Sequence, residues 1–310
     1  MKKKFLIIAA SLSLMQVGNL LAVQNQTFIK STETLIAKNI SHSNHNESLM
    51  EKGDKKYKSK DYKGAITDYS KILINNPNDF HALFQRALAK SYLNDHVGAI
   101  KDYTKAIEID PEYASAFYNR GISKDKIDDT YGAISDFNKA IALDGKYQKA
   151  YIYRGYAKSD IGDHEGAVKD LTSAIEIKPE DAYGYSARGY VKERAGDYYS
   201  AISDYSKAIK IDPDDYYSFA GRGYAKGQIG DSEGAIIDFT KAIEINPDDS
   251  YSFFGRGVIN KISGNYDLAC DDWIKSSDLG YEGADKKANE CKNTANVKKN
   301  IQELLSSQNY

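Results

Sequence analysis

The chain has 310 residues, with 42 lysines and arginines against 44 aspartates and glutamates and a formal net charge of −2. That balance excludes the basic excess with which a nucleic-acid-binding protein neutralises phosphates, so no nucleic acid is expected as a partner. Usage is rich in lysine, asparagine, isoleucine and tyrosine, as in a bacterium with an AT-rich genome.

The chain opens with Lys2, Lys3 and Lys4, then an apolar run from Phe5 to about Ala22 broken only by serines, Gln16, Gly18 and Asn19. A basic start followed by a short apolar stretch is the layout of a secretory signal peptide, predicted over residues 1–22. The run is short and polar for a membrane span, although an uncleaved anchor is the alternative. No cysteine lies near its end, so lipoprotein processing has no support. No integral span is expected once the signal is cleaved, and the destination would be periplasm, cell surface or medium. Residues 23–45 are polar without a steady period and read as a disordered linker. His42 and His45 lie there without further ligands, so no metal site is expected.

A strict period begins after the linker. The five prolines, Pro77, Pro111, Pro179, Pro213 and Pro247, are spaced by thirty-four or sixty-eight residues, and Gly145 fills the vacant step. One column of glycines (Gly121, Gly155, Gly189, Gly223, Gly257) keeps the same step. So does a column of alanines at Ala65, Ala99, Ala133, Ala167, Ala201, Ala235 and Ala269. Four residues after each alanine comes a bulky side chain: Tyr69, Tyr103, Phe137, Leu171, Tyr205, Phe239 and Trp273. Seven repeats follow, over 46–79, 80–113, 114–147, 148–181, 182–215, 216–249 and 250–283. Residues 284–310 are left as a closing helix and tail.

Within residues 216–249, Phe219, Gly223 and Ala225 lie in a first segment that Gly230 and Asp231 interrupt. The second segment carries Ala235, Ile236, Phe239, Ala242 and Ile243, spaced as one face of an amphipathic helix. Gly230 suits the left-handed end of a helix, Pro247 stops the second helix, and Asp248 and Asp249 can cap the next one. Each unit is a helix–turn–helix. A single hairpin cannot bury both of its apolar faces, so neighbours must stack into a solenoid.

The array resembles the tetratricopeptide repeat family, on the pattern Gly223, Ala235, Phe239, Ala242 and Pro247 and its counterparts over residues 46–283. The resemblance implies an all-α fold, a right-handed superhelical solenoid. One column departs from the family pattern. Arginine (Arg86, Arg120, Arg154, Arg188, Arg222, Arg256) stands where the family often has an apolar residue, with Lys52 in the first repeat. An aspartate column, Asp68, Asp102, Asp136, Asp170, Asp204, Asp238 and Asp272, is its natural partner. We expect a ladder of structural ion pairs, because the planar guanidinium holds a carboxylate through two hydrogen bonds.

In the resembled family the first helices line a concave groove. Carried over position by position, the groove would hold Tyr183, Tyr217 and Tyr251 at the second position and Tyr156, Tyr190 and Tyr224 at the ninth. Phe84, Tyr118, Tyr153 and Phe254 would add to it. Tyrosine joins a broad apolar face to a hydroxyl and is favoured in binding surfaces. Packing between neighbouring first helices is the other use open to these rings. The family's carboxylate clamp, with lysine at the fifth position and asparagine at the ninth, has no counterpart.

Cys270 falls on the last repeat's second helix and Cys291 in the segment 284–292 that reads as a closing helix. In an exported compartment a disulfide would tie that helix to the last hairpin. Two buried free thiols are the alternative. The chain has no phosphate-cradling glycine loop, no paired zinc cysteines, no His-Glu-x-x-His and no nucleophile elbow. With residues 46–283 taken up by the array, we expect no catalytic centre and no cofactor. The expected function is a non-catalytic scaffold that holds a protein or peptide partner in the groove. A module that binds carbohydrate or envelope polymer is the alternative.

Overall fold

The computed structural model describes residues 30, 32 and 46–307, the side chains of 295–307 excepted. The expected signal and most of the expected linker lie outside these residues. The described residues form two compact units that meet in sequence at Pro111 and Glu112.

The first unit holds helix α1 over 46–58, α2 Tyr62–Asn75, α3 Phe80–Tyr92 and α4 His96–Ile109. The second holds α5 Ala114–Asp125, α6 Thr130–Leu143, α7 Gln148–Asp160, α8 His164–Ile177, α9 Ala182–Arg194 and α10 Tyr198–Ile211. It continues through α11 Tyr216–Gln228, α12 Ser232–Ile245, α13 Ser250–Ile262, α14 Tyr266–Asp278 and α15 Glu282–Ser307. No strand occurs among the described residues. Each hairpin is a first helix of the repeat packed on a second one, and the fold is a tandem helical solenoid.

Local chemistry sets both turns of the repeat. The second helices α2, α4, α6, α8, α10 and α12 start after Asp61, Asp95, Asp129, Asp163, Asp197 and Asp231. Each of these side chains accepts a hydrogen bond from a backbone N–H of the first turn, which satisfies one of the orphan donors of a helix start. The residue before each cap is left-handed. Gly162, Gly196, Gly230 and Gly264 take φ of 81° to 85° there, while Lys60, Asn94 and Asp128 take 61° to 65°. Glycine has no Cβ to clash in that region, whereas lysine does.

The bulky column forms the floor of each hairpin. Tyr69, Tyr103, Phe137 and Leu171 are fully buried, and Tyr205, Phe239 and Trp273 nearly so. The alanines at 65, 99, 133, 167, 201, 235 and 269 are all at 0% exposure, which lets the two helices of a hairpin approach closely around each ring. Burying a side chain of this size stabilises the fold by roughly 1.5–3 kcal/mol. In the second unit, α7, α9, α11 and α13 also touch one another in succession, so first helices form one continuous face.

At the C-terminus, α15 begins at Glu282 and runs unbroken to Ser307, where sequence analysis had separated a short helix from a tail. Neither glycine nor proline occurs from 284 to 307, so no residue stops the helix. Cys270 on α14 and Cys291 on α15 are joined by a disulfide, with Cα atoms 5.4 Å apart.

Candidate functional site

The ion-pair ladder is the frame on which the first helices stand. From Arg86–Asp102 to Arg256–Asp272, each arginine donates from Nε and Nη2 to both oxygens of the aspartate sixteen residues later, at 2.6–3.1 Å. The bond to Asp204 holds the Arg188 guanidinium above its ordinary range against the opposing effect of burial. Nη1 of Arg86, Arg154, Arg188, Arg222 and Arg256 reaches back to Ser70, Asn138, Thr172, Ser206 and Thr240, on the second helix of the preceding repeat. One guanidinium therefore ties two repeats together. From Arg120 to Arg256 an aromatic ring three residues earlier lies against the guanidinium, as with Arg154 and Tyr151 at 5.4 Å.

Sequence reasoning missed a third column. Lys90, Lys124, Lys158, Lys192 and Lys226 pair with the same aspartates at 2.7–2.9 Å, and Asn260 replaces the lysine beside Asp272 at 3.2 Å. These lysines follow the arginines by four residues, one helical turn, so the signal was present as a further thirty-four-residue column. In the first repeat Lys56 and Lys71, on either side of Asp68, hold it. Burial works to raise the Asp68 carboxyl, and the bonds from the two lysines outweigh it, leaving the group below its ordinary range.

The ten aromatic residues expected in the groove divide into two sets of five. Phe84 is buried in the first unit, with Phe80 at 6.1 Å and Tyr103 at 5.7 Å. Tyr118 is buried among Phe137, Tyr147 and Tyr153. Tyr153 is half-buried against Phe137, Tyr224 against the Ala235–Phe239–Ile259 cluster, and Phe254 against the Trp273 cluster and Tyr281. Packing accounts for these rings, because bulky side chains at those positions fill the spaces between helices.

Tyr156, Tyr183, Tyr190, Tyr217 and Tyr251 come together. They line one cavity of about 970 Å³ built on α7, α9, α11 and α13, whose inner wall includes Tyr205, Ala220 and Gly221. Tyr183, Tyr190 and Tyr217 are 48%, 43% and 68% exposed, far from the burial of a packing ring. Tyr156 stands edge-on to Tyr183 at 6.5 Å and to Tyr190 at 6.1 Å. Desolvation pushes the Tyr156 and Tyr251 phenols up, so both are neutral donors at physiological pH.

One acidic residue on this wall escaped a reading that counted only aromatics. Glu193 lies in the last turn of α9, and its carboxylate accepts a hydrogen bond from the Tyr205 hydroxyl at 2.9 Å. Burial pushes it up to about 7, against the lowering effect of that bond. Gly221 gives Tyr205 its room: a Cβ there would sit 2.4 Å from the phenol ring. Among the described residues no group of three or more His, Cys, Asp or Glu could hold a metal ion, and no helix is long and apolar enough to cross a membrane.

Residues 92–124 match the family model described as TPR repeat, and residues 148–181, 182–215 and 216–249 match the one described as tetratricopeptide repeat. A solved structure of MamA is 30% identical over 94% of its own length and 52% of this chain, with a TM-score of 0.49. The chain belongs to the tetratricopeptide repeat family. A second MamA structure is 29% identical over 93% of its length and 55% of this chain, with a TM-score of 0.51. A tetratricopeptide repeat protein from Parabacteroides merdae shares the fold at 18% identity, with a TM-score of 0.66, 97% of its length and 80% of this chain. No curated protein matches the chain. Tetratricopeptide repeats serve in general as scaffolds that bind proteins or peptides, and the cavity lies where three of the matched repeats are contiguous.

Proposed function

We propose that this tetratricopeptide protein is a non-catalytic scaffold that takes an extended peptide segment of a partner protein on the face of α7, α9, α11 and α13. The observation that carries this is the gathering of five tyrosines around one open cavity. Half-exposed rings at a concave site offer apolar area and hydroxyl donors at low entropic cost. A partner peptide would lie across successive first helices and meet one or two cavity tyrosines per repeat.

We also propose that the protein is exported and works in an oxidising compartment. The Cys270–Cys291 disulfide supports this reading, since such bonds persist where thiols are not kept reduced, and so does the signal-like sequence of residues 1–22.

The test is capture of native partners by photo-crosslinking from a benzoylphenylalanine placed at Tyr217. Capture is expected from that position and is expected to be lost when Tyr183→Ala and Tyr190→Ala are added, with helical circular dichroism unchanged. Undiminished capture by the double variant would place the partner elsewhere. Retention of soluble glycans in place of peptides would favour a carbohydrate-binding module.

A further inference from the structure

We infer that the cavity takes a lysine or arginine side chain of the bound segment, with the Glu193 carboxylate as its anchor and tyrosine faces around its stem. This rests on the groove being the partner site and adds the chemical class of what enters it.

Charge points the same way throughout the lining. Glu180, Asp181, Glu193, Asp212, Asp215 and Asp249 all contribute carboxylates, and no lysine, arginine or histidine lines the cavity. Four of them have structural duties: Asp181, Asp215 and Asp249 cap α9, α11 and α13, and Asp212 accepts from the backbone N–H of Asp214. Glu193 has none. It stands at the far end of α9, and among the described residues no cation pairs with it.

The other repeats serve as internal controls for what the fold requires. The equivalents of Glu193 in the adjacent repeats are Ser159 and Gly227, so the frame does not need a carboxylate there. The equivalents of Tyr205 in the adjacent repeats are Leu171 and Phe239, which lack a hydroxyl, while Tyr69 and Tyr103 in the first unit carry one, so the frame accepts that donor without requiring it. The equivalents of Gly221 are Tyr153 and Ala187 in the two preceding repeats and Gly255 in the next, where it makes the same room for the Phe239 ring. Against the adjacent repeats, the Glu193 carboxylate and the Tyr205 hydroxyl are both peculiar to repeat 182–215, and they meet. Gly221 admits the Tyr205 ring, Tyr205 bonds to Glu193, and Glu193 faces the cavity with its remaining acceptor capacity.

A half-buried carboxylate without a cation is costly, which is why burial favours its neutral form. Tyr205 bonds to it, and the phenols close enough on the neighbouring helices to feel its charge are Tyr224 and Tyr251, all three raised by burial and neutral. An incoming ammonium or guanidinium would supply the missing charge. The rings suit its stem and head, because a cation is attracted to the face of tyrosine. Arg194 already lies over Tyr190 at 5.8 Å on the rim, where it pairs with Asp160. The volume exceeds that of one side chain, as expected if flanking backbone enters with it.

Retention of decapeptide pools, each fixed as one residue at its central position and random elsewhere, tests this on the full chain. Lysine and arginine pools should be retained about 10-fold over the glutamate pool, the scale of a charge-assisted contact. Acetylation of the lysine pool should remove the preference. Glu193→Gln should reduce it to near parity. Glu193→Ser, which restores the residue of the adjacent repeat, keeps the fold and should do the same. Equal retention of all pools, or a preference unchanged in both variants, would overturn the anchor. If Tyr183→Ala with Tyr190→Ala still abolishes that retention, the groove reading survives without it. Retention of no pool by the unaltered protein would overturn both.

Discussion

Repeats 46–79 and 80–113 place Glu47, Asp54, His81 and Leu88 at the positions where repeats 182–215 and 216–249 place Tyr183, Tyr190, Tyr217 and Tyr224. The frame beneath them is the same from repeat 80–113 on, while repeat 46–79 holds Asp68 with two lysines in place of an arginine. Arg86 grips Asp102 with the geometry by which Arg222 grips Asp238, and Tyr103 is buried as deeply as Phe239. A repeat thus separates what holds it together from what it shows to a partner. The left-handed turn residue differs as well: Lys60 and Asn94 in the first unit, mostly glycine in the second.

The largest expected effect tests whether the frame is shared. Asp102→Ala and Asp204→Ala should each cost about 3–5 kcal/mol in chemical denaturation, since each strands a partly buried arginine and lysine. Exposed Asp214→Ala should change stability by less than about 0.5 kcal/mol. Unequal losses in the two aspartate variants would break the equivalence of the units.

The disulfide belongs to the second unit alone. Reduction, or Cys270→Ser, should loosen α15 by about 3 kcal/mol, the loop-closure scale for a bridge of this span. Amide exchange should quicken in α15 and leave the first unit unchanged.

Glu193 makes a smaller difference that depends on pH. Its folded value, about 7, lies above the ordinary carboxylate range, so the folded state favours the neutral form. Stability from this group is fully present below about pH 4.5 and is lost as pH rises through about 7. Glu193→Gln, always neutral, should match the unaltered protein at pH 4.5 and exceed it by about 2 kcal/mol at pH 8 in parallel melts, a figure reduced for the solvent the carboxyl retains. A gap independent of pH would mean the carboxylate is better solvated than its position implies.

The smallest effect concerns the turns. Lys60→Gly should stabilise the chain by about 1 kcal/mol and Gly230→Ala should destabilise it by a similar amount, because both residues are left-handed. Melting temperatures of the two variants should therefore move in opposite directions.

Period and residue type were enough to predict the frame. Small residues beside a bulky one, aspartate before it and proline after it recur every thirty-four residues because each repeat solves the same local packing problem. The arginine–aspartate pairing could be read in this way, and the lysine column could have been. Position in the repeat separated most of the rings, the second position lining the cavity and the fifth and sixth filling the interior, but it did not decide those at the ninth. Tyr156 and Tyr224 both stand at the ninth position, and only the neighbouring helices decide that the Ala235–Phe239–Ile259 cluster takes up the second while the first lines the cavity. The meeting of Glu193, Tyr205 and Gly221 was likewise decided by tertiary structure. They lie on three different helices, and their proximity follows from helix stacking, which brings together residues that no single repeat contains.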